Sequence, residues 1–194
     1  FKDFSWEKIT RTQVLKQADV LMLMYLLGDQ FTFEEKIANW EFYEPKTLHH
    51  SSLSPAIHSV FATGIGRKEE AFRYFMDAAE IDLNDKLRNS DAGLHAATQG
   101  GIWQAVVKGF GGVTINDGIL ALTPCLPEHW EKVSFQITYR SVPLRVEIAR
   151  DQLNLEVLAE KFTPFTIGLG DRAVTIDEQS SRLSIPIQSD HGIV

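Results

Sequence analysis

The stretch Val133-Ser-Phe-Gln-Ile-Thr-Tyr139 alternates apolar and polar residues almost perfectly. Residues 144–148 and 153–158 repeat this period of two, and the intervening Arg150-Asp151 is typical of a tight turn. Such alternation predicts strands that bury one face of a sheet. Further strands are expected from the same pattern at residues 165–169, 173–176 and 183–187. About seven short strands in succession predict a small antiparallel β-sandwich over residues 113–194.

The half of the sequence that precedes Gly112 has apolar residues at spacings of three and four, which predicts helices. Helices are expected over five segments: residues 12–27, 31–42, 54–63, 67–83 and 94–107. The first is nearly all apolar after Asp19, and a helix of that kind is normally buried on every side. Five helices would leave wide apolar faces uncovered, so more helices are expected upstream of Phe1. Helices in one block and strands in another exclude a parallel α/β sheet.

Three local signals are expected to set the ends and the packing of these helices. Ser54-Pro55 fits a helix start, with serine at the N-cap and proline at the first helical position. One residue of Asn89-Ser-Asp91 is expected to cap the fifth helix. Gly100-Gly101 in the middle of that helix either weakens it or marks close packing against another backbone.

The composition is that of an ordinary globular protein, with 194 residues, 44% hydrophobic residues, 23% charged residues and a net charge of −7. It excludes a disordered, collagenous or coiled-coil chain. Lysine and arginine form no dense cluster, so nucleic acid is not an expected partner. The longest apolar run, residues 20–27, is far shorter than the roughly 20 residues that span a bilayer. The single cysteine, Cys125, cannot form an internal disulfide, which favours a reducing compartment, and we expect a cytoplasmic protein.

The densest polar stretch of the helical half is Tyr43-Glu-Pro-Lys-Thr-Leu-His-His-Ser-Ser-Leu-Ser-Pro55, here named the serine loop. It ends at a predicted helix N-terminus, where free N–H groups and the helix dipole attract anions. Ser51, Ser52 and the imidazole of His49 add further hydrogen-bond donors. The alternative is a capped helix whose serines satisfy their own backbone, and composition alone favours that alternative.

Other polar and aromatic positions leave a functional and a structural interpretation open. His95 lies near the start of the fifth helix, where it either serves the core or a cap, or meets the same anion as the serine loop. Lys16-Gln17 begins the first helix. There the lysine either pairs with Asp19 or extends to solvent, or both side chains face a cavity and suit sugar hydroxyls. Trp40 and Trp103 are candidate platforms for stacking on sugars, although tryptophans at helical spacing are usually core residues.

Several familiar sites are excluded by their spacing. His49-His50 has no companion at metal-ligand spacing and Cys125 stands alone, so no metal is expected. Gly109-Phe-Gly-Gly112 and Gly168-Leu-Gly170 lack the strand–loop–helix context and the lysine of a phosphate loop, so no cofactor is expected from them. No Gly-x-Ser-x-Gly elbow is present for acyl transfer.

A series of segments between Lys16 and Gly112 together resembles the C-terminal part of glycoside hydrolase family 65. That family contains maltose, trehalose and kojibiose phosphorylases and a minority of hydrolases. The segments are Lys16-Gln-Ala-Asp-Val20, Tyr43-Glu-Pro-x-Thr-x-His-x-Ser-Ser-Leu-Ser54, Gly93-Leu-His-Ala-Ala97, Gly100-Gly-Ile-Trp-Gln-Ala-Val-Val107 and Gly109-Phe-Gly-Gly112. The strand half is similar to the family only in kind.

The resemblance implies that residues 1–112 are the last helices of an (α/α)6 barrel catalytic domain and that residues 113–194 are the C-terminal β-sandwich domain. It implies that the general acid, a glutamate in the family, lies outside this chain. No catalytic residue is therefore expected within it, and the chain alone is expected to be inactive. The implied reaction is the inverting phosphorolysis of an α-linked glucose disaccharide, which gives β-glucose 1-phosphate and a sugar.

The resemblance also implies roles for individual residues. The phosphate-contacting positions of the family match Ser51, Ser52 and His95. The pair that holds the glucose unit matches Lys16 and Gln17. His49 matches the histidine of the family's serine loop and stays a candidate with an open role, whereas His50 falls where the family varies and receives none. Inorganic phosphate is the implied co-substrate, no cofactor is implied, and a homodimer is expected for the full-length protein.

The chemistry of the nucleophile separates a phosphorylase from a hydrolase. An inverting hydrolase needs a second carboxylate that activates water, whereas phosphate is already an anionic nucleophile. The absence of a carboxylate between Lys46 and Ile57 favours a phosphorylase, although Glu44 and Asp91 lie nearby. A family hydrolase of the acid trehalase kind stays an alternative, and so does a non-catalytic carbohydrate-binding module.

Overall fold

Helices come first along the chain and strands follow them, as the periodicity predicts. The computed structural model describes residues 6–49, 51–170, 172–188 and 192–193. The chain divides into two units, Phe1–Ala105 and Val106–Val194, which correspond to the helical and the strand-rich parts of the sequence. Within the described ranges, no helix combines the length and the apolar character that a membrane crossing requires.

The helical unit holds six α-helices among its described residues. Their bounds are α1 (Trp6–Ile9), α2 (Asp19–Leu26), α3 (Phe33–Tyr43), α4 (Ser54–Gly64), α5 (Lys68–Leu83) and α6 (Ala96–Gln104). A π-helical turn, Ala105–Phe110, follows α6. Thr32 and Glu35 cap the start of α3 reciprocally, each side chain accepting the backbone N–H of the other. The helices predicted at 31–42, 54–63 and 67–83 are confirmed by α3, α4 and α5.

The helix predicted at residues 12–27 is wrong at its N-terminal end, because α2 begins only at Asp19. Leu15 forms a parallel β-bridge with Thr47 instead. Backbone groups engaged in such a bridge are not available for helical hydrogen bonds. Lys16-Gln17 therefore precedes α2 rather than beginning it.

The caps predicted for two helix starts are wrong. Ser54 is the first residue of α4 rather than its N-cap, and its buried hydroxyl has no hydrogen-bond partner among the described residues. Asn89-Ser-Asp91 does not cap α6, because Gly93, with φ at 130°, separates it from the helix and His95 takes the N-cap position. The helix predicted at residues 94–107 is therefore the shorter α6 followed by the π-helical turn.

Gly101 is the closely packed glycine of the pair in α6. A Cβ atom on Gly101 would stand 2.6 Å from the Cβ of Ala56 on α4, which is closer than real Cβ atoms approach each other. A Cβ atom on Gly100 would meet nothing within 4 Å. Close packing is thus confirmed for Gly101, and it holds α6 against the first turns of α4.

The core of the helical unit is centred on α4 and on one face of α5. Most side chains of α4 are buried, and Trp40 of α3 stacks on Phe61 of α4 with the ring centres 6.1 Å apart. Trp40 is therefore a core residue rather than a sugar platform. Wide apolar faces are uncovered in this unit, as the sequence predicts. The exposed large apolar side chains include Leu23, Leu26, Phe33, Leu83, Leu94 and Trp103.

The second unit contains two sheets. Its strands in the described ranges are β1 (Val113–Asn116), β2 (Ile119–Leu122), β3 (Lys132–Tyr139), β4 (Val142–Ala149), β5 (Gln152–Val157), β6 (Phe165–Leu169), β7 (Arg172–Ile176), β8 (Arg182–Gln188) and β9 (Gly192–Ile193). One sheet has the order β1-β2-β6-β7 and the other the order β3-β4-β5-β8-β9. All paired strands run antiparallel except β2 and β6, which are parallel. Every strand segment that the alternation predicts is present.

Side chains from both sheets meet in one apolar core. On β4, Leu144, Val146 and Ile148 are buried while Arg145 between them is exposed. The other fully buried members of this core include Leu120, Leu122, Leu153, Leu155, Ile167, Leu169 and Ile176. Two sheets that share one interior form a β-sandwich, which is the predicted architecture except that β2 and β6 pair in parallel.

Gly112 lies directly before the first strand of the sandwich. Its φ angle is 64°, and a Cβ atom there would stand 2.0 Å from the carbonyl oxygen of Thr123. Only glycine fits this position. The change of periodicity at Gly112 therefore coincides with a backbone turn that no other residue can make.

Candidate functional site

The predicted sugar-binding pair Lys16-Gln17 lies beside the serine loop. The N–H of Leu15 donates to the carbonyl of Lys46, and the N–H of Leu48 donates to the carbonyl of Leu15, both at 2.9 Å. These bonds set the residues that precede Lys16-Gln17 parallel to the residues that precede His49. Lys16 is exposed and Gln17 is half-buried, so solvent reaches both side chains.

The serine loop is also joined to the start of α6. Thr98, in the first turn of α6 and 1% exposed, donates its hydroxyl to the backbone carbonyl of Ser52 at 2.7 Å. His95 holds the N-cap position of the same helix. The structure thus connects the loop that carries the serines to the helix end that carries His95.

Ser51 serves its own backbone, as the structural interpretation predicts. Its Oγ accepts the N–H of Leu53 at 3.3 Å. A serine hydroxyl that accepts one hydrogen bond still has a proton to donate. The local bond therefore orients Ser51 without removing its capacity to bind an anion.

His95 is held by the carboxylate of Asp82, near the C-terminal end of α5. The imidazole Nδ1 lies 2.6 Å from Oδ1, and the backbone N–H of His95 donates to Oδ2 at 3.0 Å. Gln99, one turn into α6, donates from Nε2 to Oδ2 at 2.9 Å. The hydrogen bond from the His95 side chain is the largest cause that lowers the pKa of Asp82, so this group is ionised at neutral pH.

His49 belongs to a chain of polar side chains formed with Tyr74 of α5 and Glu44 of the serine loop. The Tyr74 hydroxyl donates to the Glu44 carboxylate, and its oxygen lies 3.1 Å from Nε2 of His49. Because the hydroxyl proton is committed to Glu44, His49 donates from Nε2 and keeps Nδ1 as an acceptor. That Nδ1 is buried and has no hydrogen-bond partner in the described part of the chain. Burial is the main cause that lowers the pKa of His49 and raises the pKa of Tyr74.

His58 of α4 packs against this chain inside the core. Its ring centre lies 4.6 Å from that of His49 and 4.9 Å from that of Tyr74. Its Nδ1 lies 2.9 Å from the carbonyl oxygen of Ser54, to which Nδ1–H donates. Burial lowers the pKa of His58 to about 4, so the ring is neutral at physiological pH.

Sequence reasoning missed Asp82, Tyr74 and His58. Asp82 has one detectable signal, because an acidic residue in the last turn of a helix faces the negative end of the helix dipole and needs a compensating donor. Tyr74 and His58 have no such signal, since an aromatic ring on the buried side of an amphipathic helix is normally interpreted as core.

The arrangement suits an anion and sugar hydroxyls. Serine hydroxyls, an imidazole, an ammonium group and a side-chain amide are all hydrogen-bond donors, and the first three bind phosphate readily. In the ranges that the structure describes, no group of three or more His, Cys, Asp or Glu side chains is placed to hold a metal ion.

Comparison with known proteins assigns both parts of the chain to one family. Residues 1–104 match the family model described as "Glycosyl hydrolase family 65 central catalytic domain". Residues 113–176 match "Glycosyl hydrolase family 65, C-terminal domain". The chain belongs to glycosyl hydrolase family 65. Its helices are accordingly part of the helical catalytic barrel that the motifs imply, followed by the C-terminal β-sandwich.

Relatives of the chain include proteins that are named phosphorylases. The kojibiose phosphorylase of Halothermothrix orenii is 52% identical over 157 residues, which are 81% of this chain and 20% of that protein. The maltose phosphorylase of Bacillus subtilis is 35% identical over 182 residues, which are 94% of this chain and 24% of that protein. A solved structure that carries the name of a kojibiose phosphorylase from the human microbiome has a TM-score of 0.88 and 34% identity. The match covers 95% of this chain and 25% of that one, so the chain spans between a fifth and a quarter of the length of these relatives.

Proposed function

We propose that this chain forms the C-terminal part of an inverting disaccharide phosphorylase. The full-length protein would cleave an α-linked glucose disaccharide with inorganic phosphate and release β-glucose 1-phosphate and a sugar. The observation that carries the proposal is the hydrogen bond from Thr98 to the carbonyl of Ser52. It connects hydroxyl donors on the serine loop to the helix end that bears His95, in a chain whose relatives are named phosphorylases.

Ser51, Ser52 and His95 are assigned to the phosphate. An attacking phosphate must be held with its negative charge matched by several N–H or O–H donors. Both serines are half-buried, and His95 stands at the N-terminal end of α6, where the helix dipole favours an anion. Lys16 and Gln17 are assigned to the glucose unit, because the Leu15 bridge sets them beside the same loop.

The state of the neighbouring carboxylates supports a phosphorylase over a hydrolase. A general base for water needs a carboxylate that is free to take a proton. Glu44 accepts the Tyr74 hydroxyl, and Asp82 accepts three N–H groups from His95 and Gln99. Glu44 and Asp82 are therefore committed to protein donors, whereas Asp91 is exposed. Phosphate, as the nucleophile, needs neither.

The remaining parts of the proposal concern the whole protein. The barrel part is taken as residues 1–112 and the sandwich as residues 113–194. The general acid lies outside the chain, so activity belongs to the full-length protein. A cytoplasmic homodimer that uses inorganic phosphate without a further cofactor completes the proposal.

The deciding experiment measures products from the full-length protein with and without phosphate. Kojibiose, maltose and trehalose are supplied in turn, and glucose 1-phosphate and glucose are quantified separately. We expect glucose 1-phosphate from at least one disaccharide when phosphate is present. Little glucose should appear beyond the one molecule that is released with each glucose 1-phosphate. Release of glucose at the same rate in phosphate-free buffer would assign the protein to the hydrolases instead.

A further inference from the structure

We propose that Asp82 is the positioning residue for His95, a role that rests on the proposed function of His95 as a phosphate ligand. The Asp82 carboxylate fixes which imidazole nitrogen carries the proton and keeps Nε2 for the phosphate. The proposal begins from a juxtaposition that spans two helices. Asp82 lies in the last turn of α5, and His95 is the N-cap of α6.

The first step is that the pair is held rigidly. The Asp82 side chain is 5% exposed and that of His95 is 17% exposed. Three donors from the start of α6 converge on the two carboxylate oxygens, namely Nδ1 and the backbone N–H of His95 and the side-chain amide of Gln99. Rotation of the imidazole would break the shortest of these bonds while the carboxylate stays fixed by the other two.

The second step concerns the proton. Asp82 is ionised, so the ring atom 2.6 Å from its Oδ1 must be an N–H group. Nδ1 therefore carries a proton, and Nε2 forms no hydrogen bond to any group in the described ranges. When Nε2 is also protonated, it donates to a phosphate oxygen, and the carboxylate on the opposite side of the ring balances the imidazolium charge.

The third step is that, among the acidic residues near this end of α5, Asp82 contacts His95 whereas Asp77 and Glu80 have another partner. The ammonium group of Lys86 binds the carboxylate of Asp77 and lies 3.8 Å from the carboxylate of Glu80. Neither of those acidic residues has a hydrogen bond to His95. Glu80→Gln is therefore a matched control, because it removes one negative charge from the same helix end without touching the imidazole.

The test compares Asp82→Asn with Glu80→Gln in the full-length protein. Asparagine can still accept the backbone N–H of His95, but its amide no longer favours the Nδ1–H form or balances an imidazolium. We expect kcat/KM for phosphate to fall about 10- to 100-fold in Asp82→Asn, with the KM for the sugar unchanged. Asp82→Glu, which keeps the charge, should recover part of the loss.

Gln99→Met supplies a second variant on an exposed side chain, in case Asp82→Asn does not fold. It removes one of the three donors and should weaken phosphate use in the same direction by a smaller factor. Kinetics in Asp82→Asn and Gln99→Met that match Glu80→Gln would overturn the positioning role. If the serine variants described below also leave phosphate use unchanged, the phosphate site itself is misplaced. If the serine variants weaken the use of phosphate and the Asp82 and Gln99 variants do not, the proposed function stands and the role of Asp82 is wrong.

Discussion

The hydroxyl of Tyr74 lies 3.1 Å from Nε2 of His49 and couples this histidine to Glu44. Tyr74 of α5 thereby holds the serine loop at two residues, Glu44 near the start of the loop and His49 shortly before the serines. His49 itself has φ at 50°, a backbone conformation that ordinary residues rarely adopt. The side-chain bond to Tyr74 helps to keep the loop in this conformation.

Replacing Tyr74 with phenylalanine is expected to lower the free energy of unfolding of the helical unit by about 1–3 kcal/mol. The physical reason is that His49 Nε2–H loses its acceptor inside the protein while Glu44 loses a donor. Denaturant unfolding followed by circular dichroism measures the change. Tyr43→Phe is the control, because the Tyr43 hydroxyl makes no hydrogen bond in the described part of the chain. Equal losses in the two variants would contradict the role of the Tyr74 hydroxyl.

His58 is expected to make the helical unit less stable in acid. Its pKa is about 4 in the folded state against 6.5 for an ordinary histidine, so between these values the unfolded chain binds a proton that the folded chain refuses. The free energy of unfolding should therefore fall as the pH drops from 6.5 to 4, by about 3 kcal/mol from this group. Denaturant midpoints across this range, followed by tryptophan fluorescence, give the slope.

The control for this slope is His58→Asn. An asparagine amide can still donate to the carbonyl of Ser54 but does not titrate. Its stability should depend less on pH between 6.5 and 4, whatever its absolute value. A slope as steep as that of the unchanged protein would show that another group is responsible.

Gly101 and Gly100 are expected to respond oppositely to the same substitution. Gly101→Ala should destabilise the helical unit by about 1–3 kcal/mol, because the new Cβ meets the Cβ of Ala56 and forces α6 away from α4. Gly100→Ala meets nothing and should stabilise the helix by about 0.5–1 kcal/mol. Thermal unfolding of the two variants side by side measures both signs. A common sign would mean that α6 packs differently.

Replacing Ser51 and Ser52 together with alanine should raise the KM for phosphate at least about tenfold in the full-length protein, since two donors to a charged ligand are lost. Lys16→Ala should raise the KM for the disaccharide instead. Initial rates with each substrate varied in turn separate the two effects. A serine variant that changes only the sugar constant would reverse the assignment of the two sites.

The sequence predicts the elements of this fold better than their ends. Apolar spacings of three and four identify α3 to α5, and a period of two identifies the strands of the sandwich, because burial of one face imposes those patterns directly. The start of α2 depends on the bridge between Leu15 and Thr47, which joins residues far apart in the sequence. The start of α6 depends on the turn at Gly93 and on the hydrogen bond from the N–H of His95 to Asp82, which joins residues of two helix ends.

For the candidate site too, the sequence predicts some residues and misses others. Residue types alone favour capping over binding for the serine loop and leave His95 open, so the family motifs are needed to single out Ser51, Ser52 and His95. The carboxylate behind His95 could not be predicted, because the distance between Asp82 and His95 is set by how two helices and the turn between them pack. Buried partners of that kind become visible only when the helix ends are placed in space.

The hydrogen bonds between Leu15 and the serine loop are made by main-chain atoms. Amide groups are common to every amino acid other than proline, so the connection does not depend on which side chains flank it. Lys16, Gln17 and the two serines can thus be exchanged for other residues while the segments stay joined. An engineer who wishes to change the ligand of the proposed site can therefore vary these side chains and keep the main-chain connection.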